Sequence, residues 1–389
     1  ELKGSAKDFP ADNYRDIAST LNSTTKNVEG ALKVKTTSLS YFGRLIYSYK
    51  DKYLFTGTIR RDGSSAFGRT NRWGTFPSAS VAWRLNEESF IKNLNIFSNL
   101  KFRIGWGKTG SSYGDGSKSI AQISTSKMYY YWWNGVNYTE QMGAAKDKEI
   151  DTNLHWETNE QTNWGIDMGF MDNALNVTLD YFIRNSYDLL LDRNMRPSTG
   201  FTSIYTNAGK IQNKGFELNV NSINIQTRDF TWNTNFNISF IKNTLKSLAS
   251  GVDAMYARSG FDSNFTAYDY IAKVGESLGL IYGYEFDGIY QSSDFYTKPG
   301  DPTLYLKDGV VNDPRYSTKE PLRPGVVKYK DQDGDGKITT KDRTVIGSAI
   351  PKWYGGITNT LNYKGIDFSF MLQFNYGNDV YNATRLYST

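Results

Sequence analysis

The sequence predicts an all-β fold, an antiparallel transmembrane β-barrel, on three observations. Ten segments alternate apolar with polar residues at a period of two, which puts the two sets on opposite faces of a strand and fits no helical stripe. The connections between these segments alternate between tight and long. No run approaches the roughly 18–20 apolar residues of a transmembrane helix, so a membrane location leaves only a barrel. A length of 389 residues suits two ordinary domains or one large barrel.

In chain order the strands are expected at about 36–49, 53–61, 74–85, 100–108, 161–170, 174–184, 214–223, 230–241, 353–363 and 367–376. A candidate eleventh lies at about 280–290, so the chain accounts for about ten to twelve strands. Three segments are clean. Phe216, Leu218 and Val220 alternate with Glu217, Asn219 and Asn221. Trp232, Phe236, Ile238 and Phe240 share one face, opposite Asn233, Asn235, Asn237 and Ser239. Phe368, Phe370, Leu372, Phe374 and Tyr376 stand against Asp367, Ser369, Gln373 and Asn375.

The tight connections are Lys50-Asp51-Lys52, Met171-Asp172-Asn173, Ile225 to Asp229 and Lys364-Gly365, with 86–99 longer but still compact. Long polar stretches at about 62–73, 109–160, 185–213 and 242–352 lie between them. One rim therefore carries turns and the other large loops, the asymmetry of outer-membrane barrels. Aromatics stand near strand ends, as with Tyr47, Tyr49 and Tyr53, or Tyr354 and Tyr363. A soluble sandwich or propeller would not sort its loops by length onto one rim, and a solenoid would show a short fixed repeat, which is missing.

Composition narrows the chemistry. Lys plus Arg is 45 and Asp plus Glu is 40, a formal charge of +5 with no polybasic stretch, which gives no reason to expect nucleic acid as a partner. The chain has no cysteine, so disulfides, thiolate metal sites and cysteine nucleophiles are out. His155 is the single histidine. Gly107-Lys108-Thr109 is not a phosphate loop, because Phe102 stands where the leading glycine belongs. Glu87-Glu88 falls in a short turn, and no carboxylate pair is placed as a glycosidase needs. No enzyme is expected. Arg60, Arg61 and Asp62 read as lumen-facing charge, and residues 1–31 as part of another extracellular loop.

The sharpest local motif runs from Asp331 to Asp342. Carboxylates at loop positions 1, 3, 5 and 12, glycine at 6 and an apolar residue at 8 reproduce the EF-hand calcium spacing. Asp331, Asp333, Asp335 and Asp342 would offer side-chain oxygens to Ca2+, and Lys337 its backbone carbonyl. Asp replaces the usual final Glu and no helices flank the loop, so a static clamp is expected rather than a switch; an ion-free acidic turn is the alternative. The run Met128 to Tyr138, with Tyr129, Tyr130, Tyr131, Trp132 and Trp133, is expected to extend a strand as an interfacial girdle, against a sugar- or partner-binding surface.

Several segments resemble one family. Tyr53 through Arg60-Arg61-Asp62-Gly63-Ser64-Ser65 to Gly68, then Asn71-Arg72-Trp73-Gly74, Pro77-Ser78 and Ala82-Trp83-Arg84, are similar to the signature of SusC/RagA transporters, the TonB-dependent outer-membrane proteins of Bacteroidetes. Leu100 to Gly110, Leu154-His155-Trp156-Glu157, Asn213 to Glu217, Tyr282 to Tyr290, Lys328 to Gly347, Pro351-Lys352 and Tyr376 to Asp379 continue the resemblance in order.

The resemblance implies a barrel of about 22 strands closed by a plug, of which residues 1–389 are expected to be the C-terminal barrel portion, without signal, TonB-contact segment, plug or last strands. It further implies import of glycans or oligopeptides across the cell outer membrane, energy delivered through TonB, and a SusD-like surface lipoprotein as capping partner. Two other readings stand beside it: a non-transporting barrel that serves as scaffold in a larger outer-membrane complex, and a soluble all-β carbohydrate-binding or hydrolytic module.

Overall fold

The computed structural model describes residues 4–5, 27–28, 36–112, 123–133, 138–146, 148–260, 268–316 and 321–384. Ten strands form its main sheet: β1 (Ser38–Tyr49), β2 (Tyr53–Ser64), β3 (Trp73–Arg84), β4 (Phe97–Ser111), β5 (Glu157–Phe170), β6 (Leu175–Tyr187), β7 (Lys210–Gln226), β8 (Phe230–Ser247), β9 (Trp353–Tyr363) and β10 (Ile366–Tyr376). Each strand lies beside the next one in the chain, the order of an up-and-down barrel wall. All ten expected strands are present, several running past their expected ends. The candidate eleventh is not one of them. Residues 280–290 divide into Leu280–Tyr284 and Phe286–Ile289, which belong to two separate small sheets.

Local chemistry explains the tight turns. Lys50 and Asp51 both hold φ near +50°, and Lys364-Gly365 repeats the pattern with φ of 47° and 88°. Two successive left-handed residues make the primed turn whose twist matches that of the flanking strands. The Lys52 N–H closes the first turn on the Tyr49 carbonyl at 3.1 Å. Gly365 sits where a left-handed conformation costs no Cβ clash.

The chain divides into two compact units, Glu1–Glu88 with Lys101–Trp164 and Arg184–Lys210, and Ser89–Leu100 with Gly165–Ile183 and Ile211–Thr389. In the first unit β2 pairs with β3 through Tyr53 opposite Trp83, Phe55 opposite Val81 and Ile59 opposite Pro77. Its small core, Ala66, Phe67, Phe76 and Leu154, gathers around Trp156, whose ring lies 5.2 Å from Phe67 and 5.6 Å from Phe76. The backbone of Ile123–Trp133 pairs with Tyr138–Lys146 as a hairpin of its own, so the aromatic run does not extend a strand of the main sheet. The expectation for residues 1–31 lies outside the described residues, apart from a short pairing of Gly4–Ser5 with Asn27–Val28.

In the second unit β9 pairs with β10 through Ile357 opposite Leu372 and Leu361 opposite Phe368 on one face, and Gly356 opposite Gln373 and Thr360 opposite Ser369 on the other. The β8–β9 connection folds into a four-stranded sheet of 254–257, 270–273, 280–284 and 343–348, with two further two-stranded pairings. Ile271, Leu280, Ile281, Tyr290, Phe295 and Ile338 are buried in this insertion. The insertion owns its core; the sheet strands own two faces.

Candidate functional site

The polar face of the first unit encloses an open concavity of about 770 Å3, lined among others by Thr56, Thr58, Arg60, Ser78, Gln161 and Arg184. The lining side chains hold one another. Arg60 Nε donates to Asp62 Oδ1 at 2.7 Å, Arg184 Nε to Gln161 Oε1 at 2.8 Å, and Gln161 Nε2 to Asn163 Oδ1 at 2.7 Å. The expectation for the Arg-Arg-Asp triplet therefore divides by strand alternation: Arg60 and Asp62 face the concavity, while Arg61 packs over the Trp73 ring at 5.4 Å on the other face. In the second unit a smaller recess of about 250 Å3 is walled by Asn176, Asn221, Asn233, Asn235, Thr358 and Thr360. Asn235 Nδ2 donates to Asn221 Oδ1 at 2.6 Å. Amides and hydroxyls of this kind offer donors and acceptors to a passing polar solute at little charge cost.

The opposite face is apolar and uncovered. Ile366 is 70% exposed, Phe368 58% and Leu372 59%, side chains that water-facing sheets bury against a second layer. Aromatics stand at strand ends on the apolar face of each unit. In the first unit, at the turn end, Tyr49, Tyr53 and Trp83 stack in sequence, with centroids 6.4 and 6.0 Å apart. In the second unit, at the loop end, Trp353 stacks on Tyr376 at 5.0 Å. Ten residue steps separate Trp353 from Tyr363 on β9. At about 3.3 Å per step that is ~33 Å along the strand, and a strand tilt near 40° shortens it to ~25 Å, the height of a barrel's lipid band.

Glu88 anchors the turn-end girdle, accepting from Tyr53 Oη at 2.9 Å, Trp83 Nε1 at 3.2 Å and Lys52 Nζ at 3.1 Å. Those donors, the Tyr53 hydroxyl first, hold its carboxyl below the ordinary range. Lys52 and Tyr53 come from the start of β2 and Trp83 from the end of β3, and pattern reading gives no hint that Glu88 joins them.

The acidic loop gathers three of its four carboxylates. One oxygen each from Asp331, Asp333 and Asp335 lie within 4.8 Å of one another. Asp331 also shapes the loop, accepting the N–H groups of Gly334 and Gly336 at 2.7 Å each, and both glycines hold positive φ, 74° and 81°. Asp342 is not brought into the cluster. It is fully buried, and its oxygens accept the Gln332 N–H at 2.8 Å and the Thr339 N–H at 2.6 Å, which ties the two ends of the loop together. Burial pushes its pKa up, but the backbone donors from Thr339, Gln332 and Asp333 outweigh that and leave it lowered. The Lys337 N–H is held by Asp335 Oδ1 at 2.8 Å, and its neighbour Ile338 is buried, donating its N–H to the Asn312 carbonyl at 2.8 Å. Three close carboxylates repel in the absence of a cation, and their oxygens with a nearby backbone carbonyl match what a hard dication takes.

A second clasp in the same insertion escaped the sequence reading. Asp313, buried, accepts two bonds from the Arg315 guanidinium, at 2.8 and 2.5 Å, and that guanidinium lies over Tyr284 at 4.1 Å and Tyr329 at 4.7 Å. Tyr290 is 1% exposed and donates to the Val311 carbonyl at 2.7 Å; burial, then the Asp313 charge, pushes its hydroxyl pKa up to about 12.

Gly107-Lys108-Thr109 lies within β4, with Lys108 Nζ 3.9 Å from Glu160. His155 places Nδ1 2.8 Å from the Asn153 carbonyl and Nε2 3.5 Å from Asp188. The side chains of the aromatic run Met128 to Tyr138 lie outside the described residues.

Comparison with known proteins agrees with this geometry. The family model for the TonB dependent receptor-like β-barrel matches residues 4–388. TonB-dependent receptor P3 of Formosa agariphila is 35% identical over 352 residues, covering 90% of this chain and 33% of its own length. TonB-dependent receptor SusC of Bacteroides thetaiotaomicron is 32% identical over 355 residues, with 90% and 32% covered. The chain thus spans about a third of the length of the curated relatives it matches. Among solved structures, the RagAB peptide importer in its open-open state superposes with a TM-score of 0.69 at 21% identity, over 96% of this chain and 36% of that one, which shows the fold. The chain belongs to the TonB-dependent receptor β-barrel family, a family of outer-membrane proteins.

Proposed function

We propose that the complete protein resides in the cell outer membrane and imports large polar nutrients, glycans or oligopeptides, with energy delivered through TonB and a SusD-like surface lipoprotein as lid. The observation that carries this reading is the two-faced sheet within each unit: uncovered apolar side chains on one face, Ile59 and Val81 in the first unit and Ile366, Phe368 and Leu372 in the second, and on the other face a polar wall, which in the first unit surrounds about 770 Å3 of open space. Such a wall recognises solutes by hydrogen bonds rather than by one fixed charge. The likeness to a solved peptide importer is in keeping with oligopeptides among the solutes.

In the same reading the acidic loop holds Ca2+ through Asp331, Asp333, Asp335 and the Lys337 carbonyl, while Asp342 closes the loop around it. Bound calcium would offset two of the three carboxylate charges and fix the insertion as a rigid surface feature. Uptake of fluorescent oligosaccharides and oligopeptides by cells with and without the gene, each with and without TonB, tests the function. Accumulation that needs both supports it; uptake indifferent to TonB, or none of either solute class, overturns it.

A further inference from the structure

On the apolar face of the second unit, β7 and β8 change character at the same level. The Asn243 amide donates to Asn213 Oδ1 at 2.7 Å and the Asn235 amide to Asn221 Oδ1 at 2.6 Å, which fixes one register for this stretch on the polar face. A Cβ on Gly215 would come within 3.1 Å of the Phe240 carbonyl, so the strands are in close apposition there. Alternation then sets Phe216 opposite Phe240 on the other face, and one pair further toward the long connections, Lys214 opposite Lys242. Phe216 and Phe240 are 41% and 42% exposed, and both lysines are exposed.

Neither lysine makes an ion pair with a described residue. Like charges directly opposite each other on adjacent strands repel, their Cβ atoms being about 5 Å apart. At the edge of a lipid band that repulsion is not screened as it is in open water. An anion seated between the two ammonium groups removes it, and the two phenyl rings beneath present an apolar surface to whatever that anion carries.

We propose that Lys214 and Lys242 bind the phosphate of a phosphorylated lipid in the leaflet on the long-loop side, with Phe216 and Phe240 against its acyl chains. The proposal rests on the reading that these strands span the outer membrane with their long connections outside. The outer leaflet of such a membrane is built from phosphorylated glycolipid, so charge and location agree. A free anion would use the lysines but not the phenyl rings, and the coincidence of both pairs at one level favours the lipid.

The test is native mass spectrometry of the complete protein, extracted from outer membranes in dodecyl maltoside, stripped of lipid and titrated with diphosphoryl lipid A. The wild type is expected to bind it, the Lys214→Gln/Lys242→Gln variant roughly 30-fold more weakly, and the Lys214→Arg/Lys242→Arg variant as the wild type does. Lys364→Gln, at a turn on the opposite rim, should change nothing. Retained protection from unfolding in detergent confirms that the glutamine variant is folded. Equal lipid binding by that variant, equal binding of dephosphorylated lipid A, or displacement of lipid A by inorganic phosphate alone overturns the proposal. Recovery of the protein from cells without detergent defeats the membrane reading instead, before any lipid is added.

Discussion

Leu372 and Gln373 are neighbours on β10 that face opposite ways, and replacing each by arginine separates the lipid side from the lumen side. Leu372 stands near mid-strand, 59% exposed and opposite Ile357, whereas Gln373 is opposite Gly356 on the polar face. An arginine on the lipid face at the bilayer midplane costs about 2–4 kcal/mol, and on the lumen side it meets water and amides at little cost. Leu372→Arg should therefore lower the unfolding free energy of the complete barrel in phospholipid vesicles by that amount, and Gln373→Arg by less than about 1 kcal/mol. Reversible guanidinium unfolding followed by tryptophan emission measures both. Near-equal costs for the two substitutions, or a larger cost for Gln373→Arg, would refute the assignment of faces.

Three further outcomes follow from the insertion. Chelation, or Asp333→Ala, is expected to raise protease cleavage within 290–345; cleavage unchanged by chelation counts against a bound ion. Asp342 has a lowered pKa in the folded loop, so its contribution to loop stability is complete above the ordinary carboxylate range and fades as pH falls through its folded value. Protection factors for amide exchange at Gln332 and Thr339 should thus stay high at neutral pH and fall only in acid, while Asp342→Asn lowers them at both. Tyr290→Phe removes a buried hydrogen bond to the Val311 carbonyl and should destabilise the insertion by about 1–2 kcal/mol. Because burial raises the Tyr290 pKa to about 12, its stabilising share persists at neutral pH, begins to fall above the ordinary tyrosine pKa and is lost through about pH 12. A tyrosinate absorbance titration that finds every tyrosine ionised by pH 11 contradicts this.

The sheet was legible because period-two alternation reports two different solvents on the two faces of each strand. Strand ends were not. Lys210 to Asn213 at the start of β7 and Phe97 to Asn99 at the start of β4 pair through the backbone, and carry no alternation that marks them. The segment 280–290 misled for a related reason: Leu280 and Ile281 are both buried in succession, Glu285 interrupts, and Phe286 is exposed in a different sheet. Periodicity describes a strand but does not say which sheet it joins. The triad of Asp331, Asp333 and Asp335 could be read because its geometry is local, within five residues of chain. The place of Asp342 could not, since spacing alone does not reveal that backbone N–H groups would occupy its oxygens. The Arg315–Asp313 pair is local, but the Tyr284 and Tyr329 rings beneath the guanidinium lie 31 and 14 residues from Arg315, and no pattern in one sequence brings them to it.

The account stands on β10 having lipid on one face and the channel on the other. The 389 residues contain no cysteine, so single cysteines placed one at a time from Asp367 to Asn375 take a fluorophore cleanly. In the complete protein, with any cysteine elsewhere removed, quenching by brominated lipid should be strong at Phe368, Phe370, Leu372 and Phe374, and weak at Ser369, Met371, Gln373 and Asn375. Quenching without that alternation, or none at any position, would contradict the account.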